Sequence, residues 1–252
     1  MSDLYPPLIE LSGAPAETMH MVLVCEHASN VIPEKFNSLG LDEAALQSHI
    51  AWDPGALAVT QRLRRIFEAD LIAGSVSRLL YDCNRPPEAP SAMPETSEVF
   101  QVPGNQSLSE AERQARVSAI YTPFCAGLTE ILDQHQEAVL VTIHSFTPVY
   151  HGVRRDCEIG LLHDEDASLA DAMLQAVPAN PGFKTERNVP YSARDGVTHT
   201  LKRHAIPRAW PNVMIEIRND LIETSTQQEN VAAYIASLLK AAILGLKEKS
   251  NV

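Results

Sequence analysis

Three apolar runs in this chain end in side chains that bind cations or move protons. Leu23-Val24-Cys25 leads into Glu26-His27-Ala28-Ser29-Asn30, Val141-Thr142-Ile143 leads into His144-Ser145, and Met214-Ile215 and Ile217 flank Glu216 ahead of Arg218-Asn219-Asp220. A catalytic zinc takes three protein ligands from His, Glu or Asp and keeps a fourth position open. His27 and His144 supply two. For the third, Asp53 in Trp52-Asp53-Pro54-Gly55-Ala56 is the best chemical candidate, because a carboxylate is a far better zinc ligand than an amide. Asn30 has the convenient spacing from His27 and the weaker donor. Glu26 is a further candidate, although its side chain points away from His27 if the strand continues. Zinc acidifies water to a pKa of about 7, and a nearby carboxylate can then take a proton. Glu216 suits that task, since its apolar neighbours imply burial and a raised pKa. A lone strand-end histidine is more often a hydrogen-bonded structural residue, and Glu216 could equally be one half of a buried ion pair. Convergence of the whole set is what favours chemistry.

Arginines form a second constellation. Ser77-Arg78-Leu79-Leu80-Tyr81-Asp82-Cys83-Asn84-Arg85-Pro86 places Arg78, Asn84 and Arg85 just after an apolar run. A guanidinium binds a carboxylate as a bidentate fork, so this cluster suits an acidic small-molecule substrate, with a surface salt-bridge network as the plain alternative. Asp82 reads as an orienting partner rather than a ligand. Arg194 is a weaker candidate for substrate contact. His199 and His204 read as surface residues, and His163 sits in an acidic, solvated loop. Phosphate-cradling glycine loops and a GxSxG nucleophile elbow are absent from the sequence.

The elements that must position these residues alternate between short apolar strands and longer helical patterns, which predicts an α/β domain with a mostly parallel, mixed central sheet. Strands are expected over Met21 to Cys25, Leu71 to Val76, Val139 to Ile143, Glu158 to Leu162 and Val213 to Ile217. Helices are expected over Asp42 to Ala51, Ala56 to Phe67, Ser109 to Gln136, Ser168 to Val177, Val197 to His204 and Gln227 to Leu246. In such a sheet ligands bind beyond the carboxyl ends of the strands. The proline-rich stretch at about 86–107 reads as a flap beside the site, and residues 1–252 as one domain.

Composition narrows the function classes. Twenty basic against thirty-two acidic residues give a net charge of −12, which disfavours nucleic acid and anionic membrane surfaces as partners. No apolar run approaches the roughly 20 residues of a membrane span, and the N-terminus lacks the pattern of a signal peptide. Cys25, Cys83, Cys125 and Cys157 are widely spaced and read as reduced thiols, so a cytoplasmic location is expected. The sequence leaves room for a homo-oligomer.

In order along the chain, Glu26-His27-Ala28-Ser29-Asn30, Trp52-Asp53-Pro54-Gly55-Ala56, Asp82-Cys83-Asn84-Arg85-Pro86, Ile143-His144-Ser145 and Glu216-Ile217-Arg218-Asn219-Asp220 resemble the N-formylglutamate amidohydrolase family. The resemblance spans about Val22 to Leu239. It implies a fold and site similar to zinc carboxypeptidases and the acylamino-acid deacylases related to them, of the zinc-carboxypeptidase/phosphorylase-hydrolase type. On that likeness Ile143-His144-Ser145 supplies a zinc ligand, the Glu-x-Arg strand supplies Glu216 as base and then acid, and Asn84-Arg85 grip the substrate carboxylate with help from Arg78. Arg218 either stabilises the oxyanion or pairs with Glu216. Carboxypeptidase-like sites carry His-x-x-Glu where this chain has His27-Ala28-Ser29-Asn30, and Asp53 stands as the substitute ligand. The implied reaction is metal-dependent hydrolysis of an N-formyl or N-acyl amide on an acidic amino acid, with one Zn2+ per chain and formate plus glutamate as reference products, as in histidine degradation. A metallopeptidase, a deacylase of another acylated amino acid, and a carboxylate-binding module without turnover are the alternatives.

Overall fold

Strict alternation sorts the residues of the central strands onto two faces. In β2 (His20–Cys25), Met21, Leu23 and Cys25 join one hydrophobic cluster while Val22 and Val24 join another. The same division runs through β6 (Ala138–Phe146) and β11 (Asn212–Arg218), where Val139, Val141, Ile143, Val213, Ile215 and Ile217 belong to the first cluster and Leu140 and Met214 to the second. All three strands are buried end to end, as parallel strands covered on both faces must be.

The computed structural model describes residues 4–12 and 20–250. Seven strands form the central sheet in the order β1-β3-β2-β6-β11-β9-β10, with β1 at Leu8–Glu10, β3 at Asp70–Ala73, β9 at Ile159–Leu162 and β10 at Thr185–Arg187. Strands β3, β2, β6 and β11 run parallel, whereas β1 and β9 are antiparallel to their neighbours β3 and β11. Two small hairpins stand apart, β4 with β5 (Thr96–Ser97, Phe100–Gln101) and β7 with β8 (Val149–Tyr150, Val153–Arg154). The first face packs on α2 (Ala56–Phe67), α5 (Ser168–Gln175) and α6 (Ser225–Ser250). The second packs on α1 (Glu43–Gln47), the helical run of α3 (Glu110–Arg116), a π turn at Val117–Tyr121 and α4 (Thr122–Leu132), and the segment Val197–Ala205.

Several expectations are corrected here. Helix α1 stops at Gln47 rather than Ala51, and the β3 strand ends at Ala73 because Gly74 turns the chain. A Cβ at Gly74 would lie 2.0 Å from the Glu26 carbonyl oxygen, so only glycine lets these two strand ends approach. The edge strands β1 and β10, each three residues long, carry too little pattern to be expected from sequence. The proline-rich segment is anchored to the body of the domain over part of its length. Ala92, Met93, Val102 and Asn105 are buried, and the Asn105 amide donates to the Leu79 and Pro94 carbonyls, each at 2.8 Å. Helix α6 is long and apolar enough to span a membrane, contrary to the expectation, but Val231, Ile235, Leu238, Leu239 and Ala242 are buried in the core.

Candidate metal centre and active site

The row of residues one step beyond Val24, Thr142 and Met214 consists of Glu26, His144 and Glu216. His144 and Glu216 are direct cross-strand partners, and all three positions share the face of the sheet opposite α2, α5 and α6. His27 follows in the turn after β2, and its carbonyl accepts from the Asp53 backbone N–H at 2.9 Å, which brings the α2 entry loop against the strand end. Gly55 closes that loop with φ +81°, and a Cβ there would come within 2.6 Å of the Ile222 carbonyl oxygen.

Three ligand atoms converge. His27 Nδ1, His144 Nδ1 and Asp53 Oδ2 lie 3.2, 3.0 and 3.3 Å apart, taking the two histidines, then His144 with Asp53, then His27 with Asp53. The edge of a tetrahedron around zinc, with bonds of 2.0–2.1 Å, is about 3.3 Å. The opposite nitrogen of each ring faces a carboxylate: His27 Nε2 donates to Asp82 Oδ1 at 2.7 Å, and His144 Nε2 lies 3.1 Å from Glu26 Oε2. Such partners favour the Nε2–H tautomer and turn the Nδ1 lone pair toward the shared point. The rings meet at 69°, so their lone pairs point inward from different directions.

Electrostatics make the same demand. Glu26, Asp53, Asp82 and Glu216 are all buried, and among the described residues that line the cavity only Arg78 and Arg85 bring permanent positive charge. Burial alone would raise the Asp53 carboxyl, but His27, His144 and Arg78 outweigh it and hold it far below the usual carboxylate range. Burial would likewise lower His144, yet Glu26 and Asp53 drive it well above the ordinary imidazole range. Positive charge is wanted between these rings, and a divalent cation supplies it. The donor set therefore fits a metal.

A second group, His20, Asp70 and His135, is also close-packed. Its rings stack 18° from parallel with centroids 3.8 Å apart. Both Nε2 groups donate to Asp70 Oδ2, at 2.8 and 2.9 Å, and the Ser12 N–H donates to Oδ1 at 2.7 Å. This is a hydrogen-bonded clamp at the opposite end of the strands.

Glu216 lines the same cavity as the three ligand atoms. Burial, partly offset by His144 and reinforced by Asp53, raises its carboxyl to about 7, and Oε2 has no hydrogen-bond partner. Arg85 also lines the cavity and spends Nη1 on the Asn84 carbonyl at 2.9 Å, leaving its other donors for an anion. Three expected roles change. Arg78 donates to Asp53 Oδ1 at 3.3 Å and Asp82 Oδ2 at 2.9 Å, so it braces Asp53 and the Asp82 behind His27 instead of standing free as a clamp. Asn84 has both ends of its amide engaged, donating to the Val197 carbonyl and accepting from the Thr200 N–H at 3.0 Å. Arg218 turns away from Glu216 to Asp220 at 2.8 Å and Glu158 at 3.4 Å and does not line the cavity. Asn30 also leaves the site, its amide donating to the Leu46 carbonyl at 3.0 Å.

Sequence reasoning missed His49 and Tyr191, which line the cavity from loops without a local signal; His49 is held by Glu98 at 2.8 Å. His204, expected at the surface, is buried, and burial with Arg203 and Arg208 pushes its pKa down to about 3. His199 is part-buried against Tyr121 at 2.8 Å, and His163 pairs with the Asn188 amide at 3.0 Å.

The family model for N-formylglutamate amidohydrolase matches residues 19–223. The chain belongs to the N-formylglutamate amidohydrolase family. Among solved structures, a gene product of Agrobacterium tumefaciens is similar at 50% identity, with 96% of each chain covered and a TM-score of 0.92. The N-formylglutamate amidohydrolase of Ralstonia eutropha JMP134 shares the fold at 18% identity, with 95% of this chain and 97% of that one covered and a TM-score of 0.66. Comparison with curated proteins returned no match. The family assignment makes the protein an amidohydrolase by kind.

Proposed function

We propose that the protein is a divalent-metal-dependent hydrolase of the linear amide in N-formyl or N-acyl acidic amino acids, with N-formylglutamate as reference substrate. The observation that carries this reading is the convergence of His27 Nδ1, Asp53 Oδ2 and His144 Nδ1 in one cavity with Glu216, whose Oε2 has no hydrogen-bond partner. His27, Asp53 and His144 would hold the ion. Zn2+ suits two imidazoles and one carboxylate, and when bound it would polarise the scissile carbonyl and acidify water.

The remaining work falls to the chain's own residues. Glu216, a buried carboxylate in the same cavity, can accept a proton from water at Oε2 and return it to the departing amine nitrogen. Arg85 binds the substrate carboxylate through its uncommitted donors and so orients the amide. Arg78, together with His27, keeps Asp53 and Asp82 ionised, their positive charge outweighing the burial that would raise both carboxyls. A cavity of about 150 Å3 lies below the 300–1,000 Å3 usual for drug-sized ligands, which favours a small amino-acid derivative over a polymer. All four cysteines are free and buried, which supports a reducing, cytoplasmic setting.

The test is elemental analysis coupled to formate release. Purified protein should carry about one zinc per chain, release formate from N-formylglutamate, lose that activity on chelation and regain it with Zn2+. A preparation that hydrolyses formylated and acylated acidic amino acids at no more than background, with metal supplied, overturns the reading.

A further inference from the structure

Glu26 is a poor ligand candidate and a good support. Its Oε2 lies 3.1 Å from His144 Nε2, but off the line of a well-formed hydrogen bond, so this contact alone does not fix the carboxylate. The other oxygen, Oε1, accepts from the Thr200 hydroxyl at 2.5 Å. Thr200 is itself held, since its backbone N–H donates to Asn84 Oδ1 at 3.0 Å, and the Asn84 amide in turn donates to the Val197 carbonyl. Glu26, Thr200 and Asn84 are each no more than 3% exposed, so solvent does not compete for these contacts. A hydrogen-bonded line thus runs from the wall beside Arg85 to Glu26, whose second carboxylate oxygen sits 3.1 Å from the outer nitrogen of His144.

We propose that Thr200 and Glu26 are positioning residues for the metal centre. Thr200 pins one carboxylate oxygen so that the other stays beside His144 Nε2, which holds the ring in the Nε2–H tautomer and leaves Nδ1 as the ligand atom. Carboxylates behind ligating histidines set ring orientation and basicity, and losing one typically costs 10–100-fold in metal affinity. This inference rests on the metal reading of the site.

The direct test is Zn2+ affinity of the metal-free full chain, measured by competition with a chromophoric chelator, for wild type, Glu26→Gln, Thr200→Val and Thr200→Ser. Valine keeps the shape of threonine and removes the hydroxyl; serine keeps the hydroxyl and removes the methyl group. The expected result is weaker binding by roughly 10–100-fold for Glu26→Gln and about tenfold for Thr200→Val, with affinity retained in Thr200→Ser. A packing role predicts the reverse order for the two threonine variants, and that order overturns the proposal. Thr200→Val or Glu26→Gln binding Zn2+ as wild type does also overturns it. Should Thr200→Val fail to fold, weakened binding by Glu26→Gln alongside retained binding by Thr200→Ser carries the proposal, and any other combination of those two sinks it. Wild-type protein that binds no Zn2+ would instead overturn the metal reading itself.

Discussion

Replacing Glu216 by glutamine should remove turnover and stabilise the fold in one step. The side chain is 4% exposed, and in the metal-free protein burial and the Asp53 charge hold its carboxyl at about 7 against an ordinary value of 4.5. A carboxyl whose folded pKa is raised contributes stability that is full below 4.5 and is lost as pH rises through about 7. At 1.36 kcal/mol per pH unit, the gap between those values corresponds to about 3 kcal/mol, to order of magnitude. Glutamine has no charge to bury, so chelated Glu216→Gln should resist urea better than chelated wild type, and its advantage should grow between about pH 5 and about pH 8.5. In the metal-loaded protein the same variant should keep its ion and lose about 10²–10⁴-fold in kcat, the usual contribution of a positioned acid-base group. A stability difference that stays flat with pH would refute the burial argument. Turnover within a few-fold of wild type would refute the role of Glu216 as base.

The other expectations concern the substrate clamp and the far end of the sheet. Arg85→Ala should raise KM for N-formylglutamate by about 10–100-fold, since a hydrogen bond between charged partners is worth about 1.5–3 kcal/mol, while an analogue with its carboxylates masked as amides should be little affected; equal losses on both would remove the clamp. Asp70→Asn should destabilise the fold by about 2–4 kcal/mol, because a buried acceptor serving His20, His135 and the Ser12 N–H is weakened. Those partners lower the Asp70 carboxyl against the effect of burial, so its contribution is present above the ordinary value of 3.8 and fades as pH falls through the folded value; urea midpoints showing a larger deficit at acidic than at neutral pH would contradict this.

What could be read from the sequence follows from strand alternation. Once Val24, Thr142 and Met214 are known to share a face, Glu26, His144 and Glu216 must follow them there. Helix α2 was legible from Ala56 to Phe67 because its apolar stripe and its glycine entry are both local. That Asp53 joins His27 and His144 is not readable from sequence, because it reaches His27 through a loop whose geometry depends on Gly55 lying against Ile222. Arg218 misleads for a related reason. It shares the alternation of Glu216, but it is the last residue of its strand, and Asp220 and Glu158 draw its side chain aside. Asn84 matches a substrate-gripping motif, yet spends both ends of its amide on Val197 and Thr200.

Residue type and proximity also fail to separate the two histidine-aspartate groups, and the comparison shows what does. Each joins two imidazoles to one buried carboxylate oxygen, with the parts drawn from separate elements. In the clamp of His20, Asp70 and His135 the distances to the carboxylate are 2.8 and 2.9 Å, the length of an N–H···O bond, and the near-parallel rings share the same approach. In the centre of His27, Asp53 and His144 the separations open to 3.0–3.3 Å, the rings cross at 69°, and carboxylates behind His27 and His144 take up the outer nitrogens. Protons between donors and acceptors satisfy the first arrangement. The second sets three donor atoms from three separate elements around one point, an arrangement that suits a cation. Ring direction, set by the elements from which the histidines depart, therefore distinguishes the two groups, stacked in the one and crossing at 69° in the other.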